Sequence, residues 1–208
     1  MEQGKHTLIL QLASKNNGEA IEAAEILREQ GWMFDASLHR ADLRSANLYD
    51  ADLQDADLQQ AGMEQINLQY ASLENAQLQQ ASLEHADLQS ASLRNASMQE
   101  TILAYAQLQN TDLSGANLRE AILWNADLTG AILEGANLQQ AVLWGATLYG
   151  VSLVNANLQD AVLLDVKFNE KTILPDATFW SPQLDLTRFT STTHPDFLPS
   201  EAWSDNLD

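Results

Sequence analysis

Residues 41–60 read ADLRSANLYDADLQDADLQQ, and they set the pattern for most of the chain. A small residue, a polar residue, a Leu and two further polar residues recur every five positions from Ala36 to Ile173, without an insertion or deletion. Of the 28 central positions in this run, 24 are Leu, and 22 of the 28 positions two residues earlier are Ala. This five-residue period is the feature that the fold has to explain.

Neither a helix nor a straight strand can bury a residue at every fifth position. On an α-helix the Leu row would wind around the axis, and on a strand successive Leu side chains would point to opposite faces. The chain must therefore bend once per repeat, so that Ala and Leu point inward and the last two residues form a corner. Stacking such coils at about 4.8 Å would pair their backbones and pile Leu upon Leu in a closed interior.

A longer periodicity indicates how many repeats make one coil. Gln follows the central residue in every second repeat from Gln59 to Gln109, which requires an even number of sides. Residues 116–130 and 136–150, which are 20 positions apart, share their Ala, Leu and Trp positions. The sequence therefore predicts about seven four-sided coils, stacked to roughly 34 Å.

The motif A(D/N/S)LXX, repeated over about two thirds of the chain, resembles the pentapeptide repeat family. The resemblance implies an all-β solenoid of the right-handed quadrilateral β-helix type, and the leading and trailing segments are similar to those of cyanobacterial members. It also implies a non-enzymatic protein, because repeats of this kind specify architecture before they specify a role.

Three segments are expected on this basis. Residues 1–35 form a short α-helical N-terminal cap, residues 36–173 form the β-helix, and residues 174–208 form an irregular C-terminal extension docked on the rod. Within the cap, residues 18–30 read as an amphipathic helix that Asn16 or Asn17 begins and Gly31 ends. The extension holds all four Pro residues and lacks the period of five.

Composition limits the functions that are open to this chain. The net charge of −19 opposes direct binding to nucleic acid and to anionic membranes. No apolar run approaches the ~20 residues that span a bilayer, and the first residues lack a proper signal peptide. We expect a cytoplasmic protein. The absence of Cys excludes disulfides and thiolate zinc sites.

No pattern for catalysis, a cofactor or a metal is evident. The four His residues lie far apart in sequence and in no known catalytic or metal-binding spacing. Acidic residues before the central Leu could suggest calcium, but calcium-binding β-helices use Gly-rich nonapeptides, and corner hydrogen bonding accounts better for short polar residues. The residues in question are His6, His39, His85 and His194, and Asp52, Asp57, Asp87, Asp112 and Asp127.

The outward positions of one side form the candidate interaction site. On the second side, early coils carry polar residues such as Asp42 and Arg44, whereas later coils carry large apolar ones. A monomer rarely exposes a contiguous patch of this size, so we expect it to be covered. The favoured cover is the aromatic tail, with a homodimer or another protein as the alternative and an uncovered β-branched row as the third. The patch consists of Ile102, Ile122, Trp124, Val142, Trp144, Val162 and Leu164.

The Gln rows allow two interpretations. Stacked amides could form hydrogen-bonded ladders along the rod, which is the favoured account, or they could present a flat polar docking face.

Two functions follow. The first is a scaffold for protein–protein interaction or self-association with an unidentified partner. The alternative is an acidic DNA mimic that binds or protects DNA gyrase or topoisomerase, as the best characterised pentapeptide repeat proteins do. This chain departs from those proteins because its central residues are almost all Leu rather than Phe, and because Arg40, Arg44, Arg94 and Arg119 interrupt its acidic residues.

Overall fold

The repeats of the computed structural model, which describes residues 2–197, pair in parallel at a fixed offset of 20 residues. Asp42 pairs with Gly62, Gly62 with Ser82, and the ladder continues on this side to Val162. The pairing consists of single bridge residues, one per repeat, and not of extended strands. Four repeats therefore make one coil, and the molecule is a β-helical solenoid.

Each repeat places its backbone groups in the same bonds. The Leu43 N–H donates to the Gly62 carbonyl of the next coil at 2.8 Å, and the Gly62 N–H donates back to the Ala41 carbonyl at 3.0 Å. The corner N–H of Ser45 donates to the Glu64 carbonyl at 2.9 Å. Satisfying backbone groups between coils is what allows so short a repeat to stack, because an unpaired buried amide would be costly.

The corner of each repeat is a β-turn. The Ala46 N–H donates to the Leu43 carbonyl, and the residue between them, Ser45, has a φ of 58°. The same left-handed conformation recurs at the last position of the repeats that follow, held either by Gly or by residues such as Asn75 and Asp55. This explains the Asn, Asp and Gly residues in that column, since their side chains tolerate positive φ best.

The interior is formed by the two inward columns of the repeat. Nearly all the Ala and Leu side chains of both columns are fully buried in one continuous cluster. Thr101 and Thr111 replace Ala and are also buried, and their hydroxyls donate to the Leu78 and Leu88 carbonyls at 2.9 and 2.8 Å. A polar residue is tolerated there because its hydroxyl has a partner.

Two helices precede the coils, α1 at Glu2–Leu12 and α2 at Asn17–Glu29. The Asn16 side chain accepts from the Gly18 N–H and caps α2, as the sequence predicts. On one face of α2, Ala20, Ala23, Ala24 and Leu27 join the main core.

Side chains of α2 also bond to the open edge of the first coil. Asn17 Nδ2 donates to the Asn47 and Tyr49 carbonyls, and Arg28 Nη2 donates to the Asp52 and Gln54 carbonyls. These contacts lie on the third and fourth sides.

The register shifts by one residue near the end of the repeats. Ser152 pairs with Ile173, which is 21 residues away instead of 20. Thr172 therefore occupies the Ala position and Leu174 the buried central position, so the prediction of an uninterrupted period with Ile173 at its centre is wrong. The physical reason is Lys171, which the uninterrupted register would point into the apolar interior.

The tail closes the other end of the stack. The Trp180 ring stacks on Phe168 with 5.8 Å between centroids, and Phe189 in the short helix α3, Thr187–Thr190, is buried in the core. The Asp160 N–H donates to the Thr190 carbonyl at 2.7 Å. Residues 198–208 of the predicted extension lie outside the described residues.

Candidate interaction surface

The second side presents two outward columns. The leading column holds the residue before each central residue, and the trailing column holds the residue after it. In coils four to seven both columns are apolar, and five of the seven predicted patch residues are well exposed, from 36% for Ile102 to 61% for Leu164. Ile122 and Val142, in the leading column, are half-buried. The structure thus brings the seven predicted residues together on one face.

The two Trp side chains in this patch contact each other. The Trp124 and Trp144 rings meet edge to face with 6.1 Å between centroids, and they are 41% and 47% exposed. Trp144 Nε1 also donates to Asp165 Oδ2 at 3.1 Å, which fixes the orientation of the ring. Large aromatic side chains that are already ordered lose little entropy on binding.

The described part of the tail does not cover the patch. Phe189 and Trp180, two of the aromatic residues expected to fold back, pack at the end of the stack instead, and Phe179 is 63% exposed. The expectation that the tail covers the second side is therefore wrong for residues 174–197. The end of the stack is the more favourable place for them because it exposes fully apolar Leu side chains, whereas the patch is only half apolar per repeat.

One neighbour of the patch was missed from the sequence. Tyr105 lies at the corner beside the second side, is 48% exposed, and stacks on His85 with 5.0 Å between ring centroids. The two residues are 20 positions apart, so the coil length was the signal that could have found them. They extend the patch along its edge toward the first coils.

The early coils of the same side are charged. Arg44 donates twice to the Asp42 carboxylate, with distances of 2.7 and 2.6 Å, and both side chains are well exposed. Hydrogen bonds from Arg44 lower the pKa of Asp42, and the same contact raises the pKa of Arg44. The second side therefore has a charged half and an apolar half.

The Gln rows do not form the amide ladders predicted for them. Gln59 Nε2 donates diagonally to Gln77 Oε1 of the next coil, and Gln69 donates in the same way to Asp87. Diagonal bonds arise because a Gln side chain reaches the neighbouring column of the next coil.

A true ladder occurs at a corner instead. It runs from Arg40 through Gln60 and Gln80 to Glu100, with donor–acceptor distances of 2.7 to 3.0 Å. It borders the second side.

Many acidic side chains on the rod have partners of their own. Arg28 binds Asp52, Arg94 binds Asp112, and Arg119 binds Glu120, at 2.8 to 2.9 Å. No column of the four sides holds an unbroken row of acidic residues from the first coil to the last. The arrangement differs from the regular phosphate rows of duplex DNA.

Chemistry at a metal or a catalytic centre finds no support in residues 2–197. No group of three or more His, Asp or Glu side chains that could hold a metal ion occurs within that range. Within the same range, no helix is both long enough and apolar enough to cross a membrane.

Comparison with known proteins identifies the family. The model described as "Pentapeptide repeat region" matches residues 32–108, and the model described as "Pentapeptide repeats (8 copies)" matches residues 99–135 and 136–170. The chain belongs to the pentapeptide repeat family. A comparison with curated proteins gives no match.

Several solved structures are similar to this chain. HetL, a pentapeptide repeat protein involved in heterocyst differentiation regulation from the cyanobacterium Nostoc sp. strain PCC 7120, is 31% identical over 68% of this chain and 76% of its own, with a TM-score of 0.32. Rfr23 from the cyanobacterium Cyanothece 51142 is 41% identical over 50% of this chain and 63% of its own, with a TM-score of 0.33. QnrB1, a plasmid-mediated fluoroquinolone resistance protein, is 20% identical over 64% of this chain and 84% of its own, with a TM-score of 0.43.

Proposed function

We propose that this protein is a non-enzymatic scaffold that binds another protein chain through the apolar half of its second side. The observation that carries the proposal is the contiguous, exposed set of apolar side chains around Trp124 and Trp144, which the described tail leaves open. Burying a large apolar side chain stabilises a complex by ~1.5 to 3 kcal/mol, and Trp residues are frequent binding hot spots.

The scaffold suits this role because both ends of its stack are closed. We infer a right-handed quadrilateral rod of about seven coils, since crossovers between parallel strands of one sheet are almost always right-handed. In this proposal α1 and α2 act as the cap of the first coil and residues 174–197 close the last. With the ends occupied, the sides are left for partners.

A cytoplasmic location is part of the proposal and is tested by cell fractionation.

Comparative capture tests the proposal. The wild-type chain, a patch variant carrying Trp124→Ser and Trp144→Ser, and a control carrying Tyr49→Ser and Tyr149→Ser are immobilised and exposed to a lysate of the source organism. The control residues lie on the third side and are 41% and 39% exposed, close to the values for the Trp residues. We expect proteins that are retained by the wild type and the control and lost from the patch variant. Identical capture by all three would contradict the proposal.

We do not carry forward the alternative of a DNA mimic for gyrase or topoisomerase. A mimic needs acidic groups in rows that follow duplex phosphates, whereas Asp52 and Asp112 are paired with Arg side chains. A gyrase supercoiling assay checks this directly, and we expect no inhibition and no protection. A clear effect that survives the Trp124→Ser and Trp144→Ser changes would restore the alternative.

A further inference from the structure

We propose that the chain that occupies the second side is a second copy of this protein, docked face to face with the two rods parallel and related by a twofold axis along their length. This inference rests on the proposed function, because it names the partner of the same patch. It is carried by the self-complementarity of the two outward columns of the second side.

The symmetry determines which columns meet. When the twofold axis runs parallel to the rods, the leading column of one copy lies opposite the trailing column of the other at the same coil. When the axis runs across the rods, each column faces its own counterpart, in reversed order. The two arrangements therefore make different contacts from the same surface.

The side chains fit the parallel arrangement. In coils five and six it places the smaller, half-buried Ile122 and Val142 opposite the larger, protruding Trp124 and Trp144. In coil two it places Gly62 opposite Glu64. The antiparallel arrangement would set Trp against Trp and Ile against Val, which leaves a collision on one side and a gap on the other, and close packing forbids both.

The charges favour the same arrangement. In coil one, Asp42 of each copy would face Arg44 of the other, which adds two ion pairs between the copies. At the edges, the corner residues Glu100 and Glu120 would face Tyr105 and Asn125 of the partner. The antiparallel arrangement would set that acidic corner against itself, and like charges across an interface are costly.

The area sets the expected strength. Seven coils at about 4.8 Å and a side of about four residues give a face of about 34 Å by 13 Å. Two such faces bury on the order of 1,000 Å², which is near the lower limit for a specific interface. We therefore expect a dimer that dissociates in the micromolar range.

Light scattering and sedimentation over about 1 to 100 µM, the range around such a dissociation constant, test the inference. The wild type should approach twice its monomer mass of 23.0 kDa. The Trp124→Ser and Trp144→Ser variant should dimerise about 100-fold more weakly or not at all, with an unchanged melting temperature. The Tyr49→Ser and Tyr149→Ser control should dimerise like the wild type.

Charge reversal tests the parallel register. Asp42→Arg alone and Arg44→Asp alone should each weaken the dimer about 10-fold or more, because each sets two like-charged pairs across the axis. Mixing the two variants should restore it as a heterodimer. In an antiparallel dimer centred on the patch, coil one extends beyond the partner and neither change would matter.

Three results would overturn the inference. A wild type that stays monomeric over the whole range excludes self-association, yet leaves the proposed function standing if capture of another protein still depends on the two Trp residues. A dimer that survives loss of the Trp residues uses another surface. A dimer that needs the Trp residues but ignores both charge reversals is not parallel.

Discussion

Truncating one central leucine tests the interior of the rod. Leu108 is fully buried and lies between Leu88 and Leu128 in the stack. Leu108→Ala removes apolar groups worth about 0.8 kcal/mol per CH₂ and leaves a cavity. Backbone ladders above and below hold the neighbouring coils at a fixed spacing, so the cavity cannot collapse fully. We expect the free energy of unfolding to fall by about 3 to 4 kcal/mol.

Urea unfolding followed by circular dichroism measures this loss. Since about 1 kcal/mol corresponds to about 2 to 4 °C in a domain of this size, the melting temperature should fall by roughly 6 to 16 °C. Leu10→Ala is the control, because Leu10 is 61% exposed and lies outside the patch. It should change the free energy of unfolding by less than about 0.5 kcal/mol. Equal effects of the two changes would refute the assignment of Leu108 to a closed core.

Three further predictions address the end of the stack, a buried hydroxyl and a surface carboxylate. Phe189→Ala should open the last coil, so that the amides of residues 141–148 exchange hydrogen faster while those of residues 61–68 keep their protection, because each coil contacts only its neighbours. Uniform loss of protection would contradict this. Thr101→Val should cost about 0.5 to 1.5 kcal/mol in urea unfolding, since it removes only the hydrogen bond to the Leu78 carbonyl, and Val151 shows that the position accepts Val. An unchanged midpoint would mean that this bond adds nothing. Burial raises the pKa of Asp112, but hydrogen bonds from Ser114 and Arg94 outweigh it and hold the pKa below its ordinary value of 3.8. The stabilisation is therefore present above pH 3.8 and lost as the pH falls through the lower pKa of the folded state, so Asp112→Asn should be more destabilising at neutral pH than in acid. A cost that does not vary with pH would contradict the assignment.

The repeat itself could be predicted from the sequence because its information is local. Ala and Leu recur in fixed positions, and residues such as Asn75 mark the left-handed corners. The 20-residue lag then follows from which outward residues resemble each other. The register shift near Lys171 was also visible in principle, because a Lys at an inward position conflicts with an apolar core.

The contacts of the tail could not be predicted in the same way. Phe179, Trp180 and Phe189 occur without a period, so nothing in their spacing says which apolar surface they cover. The diagonal bond from Gln59 to Gln77 was likewise missed, because it depends on how far a side chain reaches across two columns. The patch around Trp124 and Trp144 was predictable because it needs only the register.

Protection of a single thiol tests most directly whether the second side is an interaction surface. The chain has no Cys, so Leu164→Cys in the patch and Ile132→Cys on the fourth side each introduce one reactive group. Both parent side chains are exposed. The rate of maleimide labelling is measured in dilute protein, in concentrated protein and in a lysate of the source organism. We predict that labelling slows in concentrated protein or in lysate for the Leu164→Cys variant alone. Unchanged rates for that variant under all three conditions would contradict the account.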